Sequence, residues 1–157
     1  MDLSIDLIYE LIIIAKLILS FLLGGFIGYD REKRGKDAGI RTYAAVCLGA
    51  TIFVSIAEHL TDDHGASRVI ANIIVGIGFL GSGIITQRKG SNYSHGLTTA
   101  ATVWCTAAIG VAIGMNMFLI SLFCAATLYF LLSLDNYKWY ARWKKKMIKQ
   151  GHMEKKE

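Results

Sequence analysis

Apolar residues in this chain do not alternate with polar ones at short range; they run on. Residues 7–29, 41–60, 68–86, 97–115 and 117–134 form five nearly continuous apolar stretches, separated by short polar links. A bilayer's hydrocarbon core, about 30 Å thick, needs about 20 apolar residues in a helix rising 1.5 Å each. A helix satisfies its own backbone hydrogen bonds there, which an open strand does not. The pattern therefore predicts an all-α protein, a polytopic membrane helical bundle of about five transmembrane helices. Soluble-enzyme classes fall away with it. The first stretch begins with Asp2, Asp6 and Glu10 and ends in Asp30, Arg31 and Glu32, so it is expected to be a retained span, not a cleaved signal.

Charge placement adds orientation. Lys and Arg gather after the first stretch (Arg31, Lys33, Arg34, Lys36, Arg41), after the third (Arg88, Lys89), and in the segment after the fifth. The intervening links carry none, and Asp62 and Asp63 lie in one of them. Basic loops stay cytoplasmic. All five stretches then alternate with the N-terminus outside and the C-terminus cytoplasmic. Two regions are expected: a transmembrane domain over 1–136 and a basic amphipathic cytoplasmic tail over 137–157. In the tail, Trp139, Trp143 and Met147 recur every four residues beside Tyr140, with Lys138, Arg142, Lys145 and Lys149 on another face. Membrane lipids suit such a surface helix as a partner, and a partner protein is the other use of the pattern.

Lipid gives helices no hydrophobic reason to associate; small residues and interhelical hydrogen bonds supply one. Gly24 and Gly28, Ala45 and Gly49, and Gly110 and Gly114 are small residues four apart. The third stretch holds Gly76, Gly78, Gly81, Ser82 and Gly83, with Asn72 on the stripe of Gly76 and Gly83. Each Gly costs a helix about 1 kcal/mol relative to Ala, so this helix is expected at the centre of the bundle or at a subunit interface. A homodimer through the third or fourth stretch follows as a possibility. Residues 76–81 also match GxGxxG, but they lie mid-span with no acidic residue 20 positions on, which argues against dinucleotide binding.

The fourth stretch places Thr98, Thr102 and Thr106 at i, i+4 and i+8, with Thr99 and Cys105 close by. Their hydroxyls serve either as interhelical glue or as a face lining a cavity or receiving a partner. Lys16 lies deep in the first stretch, where a charge must pair or snorkel; Glu58 is the most plausible partner across the bundle. Arg68, beside Asp62 and Asp63, is expected to form a local ion pair. The mixed charges Asp30, Arg31, Glu32, Arg34 and Arg41 suit either an ion-pair lattice or a ligand.

No catalytic constellation or metal site stands out. His59, His64 and His95 fall at or beyond stretch ends, and Cys47, Cys105 and Cys124 have no metal-ligand spacing. No Asp or Glu lies in the middle of a stretch, although a magnesium path calls for oxygen ligands at depth. The expectation is a protein that is not an enzyme, needs no cofactor and binds no nucleic acid.

Three blocks carry a family resemblance. Residues 25–32 with 34–42, residues 68–84 containing Gly76 to Gly83, and residues 96–110 resemble, in that order, the blocks of the MgtC/SapB membrane proteins, and the likeness extends over about 17–134. The resemblance implies a multi-pass protein of the bacterial inner membrane, tied to magnesium homeostasis, low-magnesium adaptation and virulence. It implies a regulator acting on other membrane proteins, the proton-translocating ATP synthase or a transport ATPase among them; magnesium (cation) transport is the alternative. Its functional positions map here to Asp30, Arg31, Arg41, Arg68, Asn72, Thr98 and Cys105. Asp30 stands where Glu is more usual, Asn72 where Gln is common, Val75 where Ser or Thr is, and His95 where Arg is frequent; some members carry Asn at Thr98. The chain resembles a short form lacking the C-terminal soluble domain of many relatives.

Overall fold

The computed structural model describes residues 3–60, 63–87, 94–137, 140, 142 and 143. Arg88, Lys89, Asp62, Lys138, Trp139 and the tail from 144 onward lie outside the described residues, as do the side chains of Asp63 and His64. Among the described residues five α-helices have defined bounds: α1 (Leu3–Lys33), α2 (Ile40–Leu60), α3 (Asp63–Ile84), α4 (Leu97–Gly114) and α5 (Phe118–Ser133). The first four are long and apolar enough to cross a membrane. With its 16 residues α5 is shorter. The fold is all-α apart from one antiparallel pairing of two-residue strands, β1 (Thr86–Gln87) and β2 (Ser94–His95), between α3 and α4.

The turns are set locally. After α1, Gly35 takes φ +64, its N–H bonds the Glu32 carbonyl at 2.9 Å, and the Lys36 N–H bonds the Arg31 carbonyl at 3.1 Å. After α4, Asn116 takes φ 61, with its N–H on Ile113 O at 3.0 Å and the Met117 N–H on Ala112 O at 2.8 Å. Both are Schellman closures, which satisfy helix-end carbonyls through one left-handed residue. Glu32 reaches forward so that its Oε2 accepts the Ile40 N–H at 2.9 Å, capping the start of α2 with a carboxylate.

Within residues 1–125, one of two compact units, α2 is the central helix. It packs on α1 along one side and α4 along another. The contacts are backbone-close because the residues facing α2 lack side chains. A Cβ at Gly24 would lie 2.7 Å from the Tyr43 carbonyl, and one at Gly28 2.7 Å from Ile40 Cα. A Cβ at Gly110 would run into the Cys47 carbonyl, and one at Gly114 would lie 2.7 Å from Val54 Cβ. The small-residue pairs of the first and fourth stretches are thus the two docking seams of α2. Around them Ile27, Tyr43, Cys47, Val54, Val103, Ile109 and Ile113 are buried. On α1 the opposite face, including Leu11, Ile18, Phe21, Leu22 and Phe26, is exposed; hydrocarbon is its natural solvent.

Of the two places expected for the glycine-rich α3, the bundle centre and a subunit interface, the first is overturned. No residue of its most hydropathic window is buried. A Cβ at Gly76, Gly78 or Gly83 would meet nothing within 4 Å, and one at Gly81 would make only ordinary contact with Ala100 at 3.7 Å. The physical reason lies in α2, whose close-contact seams are occupied by α1 and α4. Helix α3 is left to lie against α4 and to lean on α2 across a cavity of about 620 Å³. The Ala45–Gly49 pair of α2 is no seam either; Gly49 is open and both residues line that cavity.

Residues 126–157 make the second unit. There the end of α5 passes into a 3-10 turn (Leu134–Asn136). The rings of Phe130 and Tyr137 lie 6.2 Å apart, and those of Tyr140 and Trp143 6.0 Å apart.

Candidate functional site

Three groups of residues carry chemistry. The first is a buried polar column where α1, α2 and α4 meet. Arg31, in the last turns of α1, turns inward and is only 4% exposed. Its Nη2 donates to Thr99 Oγ1 at 3.0 Å. One turn deeper, Thr102 Oγ1 donates to the Thr99 carbonyl at 3.0 Å, so the Tyr43 hydroxyl, 2.6 Å away, donates to Thr102 Oγ1. Deeper still, Thr106 Oγ1 donates to the Thr102 carbonyl at 2.9 Å, and the Thr51 hydroxyl faces both Cys47 O at 2.9 Å and Gly110 O at 3.0 Å. Tyr43, Thr51, Thr102 and Thr106 are fully or almost fully buried.

The buried threonine ladder is therefore interhelical glue at two rungs, Thr99 to Arg31 and Thr102 to Tyr43, while Thr106 bonds back to its own helix. Its members are Thr99, Thr102 and Thr106; Thr98 lies on the exposed side and Cys105 is half-buried. A face built on Thr102 and Thr106 cannot receive a partner, because α1 and α2 already cover it. Tyr43→Phe removes one donor and leaves Thr102 bonded to Thr99; thermal unfolding in detergent should show a loss of about 1 kcal/mol.

The second group lies at the opposite end of α2. Lys16 is 4% exposed, donates from Nζ to the Gly114 carbonyl at 2.8 Å, and stands 3.6 Å from Glu58 Oε2. A cation on the last carbonyl of α4 complements the negative end of that helix. Both Glu58 oxygens lie 3.2 Å from Asn116 Nδ2. Tyr9 stacks on His59 with ring centroids 3.8 Å apart and donates to the Ser55 carbonyl at 2.8 Å. Pairing, not snorkelling, thus accommodates the mid-span lysine.

The third group is the exposed surface of α3, from the side that faces the α2 cavity to the outer side. Asn72, Gly76, Gly78 and Gly83 are exposed, and Gly81 is half-exposed. Asn72 and Gly76 line the cavity between α2 and α3 with Ala45, Gly49, Phe53 and Leu80, and Asn72 brings the amide to an otherwise apolar wall. Arg68 and Arg41 are exposed near helix ends; the Asp62 side of the expected Arg68 pair lies outside the described residues. Asp30 and Arg31 do not act as a pair. Arg34 Nη2 donates to Asp30 Oδ1 at 2.9 Å, and Arg34 Nε stands 2.8 Å from Oδ2 in ionic contact without hydrogen-bond alignment.

Tyr43, Thr51 and Asn116 join these groups without having been marked by the sequence. Tyr43 heads a stripe with Cys47, Ala50 and Val54 at helical spacing, and that stripe was the available signal. Among the described residues, no cluster of three His, Cys, Asp or Glu is arranged to hold a metal ion.

Known proteins match this arrangement in sequence. The family model described as the MgtC family matches residues 17–138. Protein MgtC of Brucella abortus is 48% identical over 98 residues, which cover 62% of this chain and 40% of that protein. Protein MgtC of Salmonella typhimurium is 45% identical over 105 residues, covering 67% of this chain and 44% of that protein. Protein SrpB of Synechococcus elongatus is 36% identical over 135 residues, covering 78% of this chain and 73% of that protein. The matched segment thus spans less than half the length of these MgtC relatives. No solved structure matches. The matched range takes in most of α1, all of α2 to α5, and every candidate residue from Arg31 to Thr106, and with four apolar helices long enough to span a bilayer the chain is a membrane protein that belongs to the MgtC family.

Proposed function

We propose that this protein is a non-enzymatic regulator of the bacterial inner membrane, serving low-magnesium adaptation, that acts by binding another membrane protein through the outer face of α3. Its N-terminus is placed outside and its C-terminus in the cytoplasm, following the basic links. The observation that carries this reading is that a side chain at Gly76, Gly78 or Gly83, placed around α3, would meet nothing of the described residues within 4 Å. Such glycines weaken a helix unless a backbone comes close. Among the described residues no such backbone is supplied, so a second polypeptide is its natural source. The proton-translocating ATP synthase is the partner class that the family resemblance brings forward, with a transport ATPase next.

Co-reconstitution tests this. Added to vesicles containing purified ATP synthase, the protein should slow ATP-driven proton pumping. Gly78→Leu should weaken that effect by about tenfold or more, the equivalent of about 1.4 kcal/mol of docking. Because a side chain at Gly78 meets nothing within 4 Å, the variant should fold normally, and an unaltered effect would remove the proposed surface. Vesicles containing the protein alone should take up no magnesium. Uptake that Asn72→Leu abolishes would replace this reading with the transport one.

A further inference from the structure

The start of α4 is electrostatically incomplete. Its first-turn N–H groups, those of Leu97, Thr98 and Thr99, have no acceptor within the helix, and no side chain of the described residues caps them; Gly96 precedes them at φ 85. Such a helix end carries partial positive charge and favours an anion. What the fold brings there is a cation. Arg31 lies buried with Nη2 on Thr99 Oγ1, in that same first turn.

Among the described residues this is the one hydrogen bond of a group with five N–H donors, and Arg31 Nε is buried with no partner. No carboxylate of the described residues lies within ion-pair distance of Arg31. Asp30 is engaged by Arg34, and Glu32 Oε2 caps α2. The segment 88–93, between the two short strands, contains no Asp or Glu. A buried guanidinium and a helix N-terminus therefore converge with no negative charge between them, an arrangement that is costly unless an anion completes it.

We propose that this junction of α1 and α4 is a binding site for a phosphate-type anion, held by the Arg31 guanidinium, the Thr99 hydroxyl and the first-turn N–H groups of α4. The donor set selects the ligand. A forked guanidinium matches two phosphate oxygens, and backbone N–H groups take a third. Thr99 Oγ1 accepts from Arg31 and keeps its own proton to donate. Thr98 and His95 are exposed at the same end, so the first turn is not sealed. Exposed Lys33 and Lys36 lie in or just after α1 and raise the local positive potential. The site does not depend on the α3 docking surface. Its phosphate can come from a lipid headgroup at the bilayer boundary or from free phosphate in solution.

The test uses the full chain with two probes. Inorganic phosphate is titrated by calorimetry into protein in a neutral detergent, and phosphatidylglycerol retention is read by native mass spectrometry from phosphatidylcholine nanodiscs containing it. At least one probe should bind saturably. Binding of phosphate assigns the free ion, and retention of phosphatidylglycerol alone assigns the lipid. Arg31→Gln should weaken the binding by about tenfold or more, as loss of charge-assisted hydrogen bonds implies. Thr99→Val, which keeps shape and removes the hydroxyl, should weaken it less, and Arg41→Gln, away from the site, should leave it nearly unchanged. Thermal melts identify any variant that fails to fold, and if Arg31→Gln does, Thr99→Val decides. Absence of binding with both probes overturns the proposal, as does binding that folded Arg31→Gln, or Thr99→Val in its place, leaves intact.

Discussion

Gly110→Ala is expected to unfold this protein far more readily than any comparable change in the glycine-rich α3. The added methyl would enter the Cys47 carbonyl and stand 2.9 Å from Ala50 Cβ. Backbone occupies that space, and backbone cannot rotate aside. Helices α2 and α4 must separate, straining the buried Thr51 contact with Gly110 O and the packing of Val54 against Gly114. Overpacking of this kind costs about 1–3 kcal/mol or more. Gly76→Ala meets nothing within 4 Å, and in an isolated protein it should stabilise by up to about 1 kcal/mol by relieving the helix cost of glycine. Thermal unfolding of the two variants in the same detergent reads the contrast directly, and equal losses would mean that α3 is packed after all.

Glu58→Ala carries the second large effect. It leaves the Lys16 ammonium buried with only the Gly114 carbonyl for company. Removing one partner of a fully buried pair costs about 3–5 kcal/mol. Glu58 is 38% exposed, so screening reduces the expected loss to about 1–3 kcal/mol. Lys16→Met removes the charge itself and keeps much of the apolar stem, so Glu58→Ala should cost markedly less on the Lys16→Met background. A double-mutant cycle of the two changes measures that coupling, and additive losses would mean that the pair is not formed.

The helices were legible because hydropathy and length almost dictate them in lipid. The Lys16–Glu58 contact was legible as one of two outcomes, since a deep lysine must find a counter-charge or reach the surface. The seams at Gly24–Gly28 and Gly110–Gly114 could be read from spacing. The place of α3 could not. A glycine records that a Cβ is absent, not whether a neighbouring backbone fills the gap, and the same spacing marks a seam at Gly24–Gly28 and an open cavity wall at Ala45–Gly49. The ladder was legible in kind but displaced in register. Steps of four residues drift by about 40° on a helix of 3.6 residues per turn, which carries Thr98 outward while Thr99, Thr102 and Thr106 hold the buried side. Arg31 was hidden by its neighbours, because in a run of alternating charges only tertiary structure decides which side chain turns in.

Photo-crosslinking from α3 in native membranes tests the central claim, that its outer face docks a second membrane protein. A photoreactive residue at Val75 or Phe79, which are 72% and 80% exposed on α3, is compared with one at Leu119, 85% exposed on α5. The expected result is a discrete adduct with a subunit of the ATP synthase or a transport ATPase from Val75 and Phe79, lost in the Gly78→Leu background, and lipid adducts alone from Leu119. Lipid adducts alone from all three positions would contradict the account.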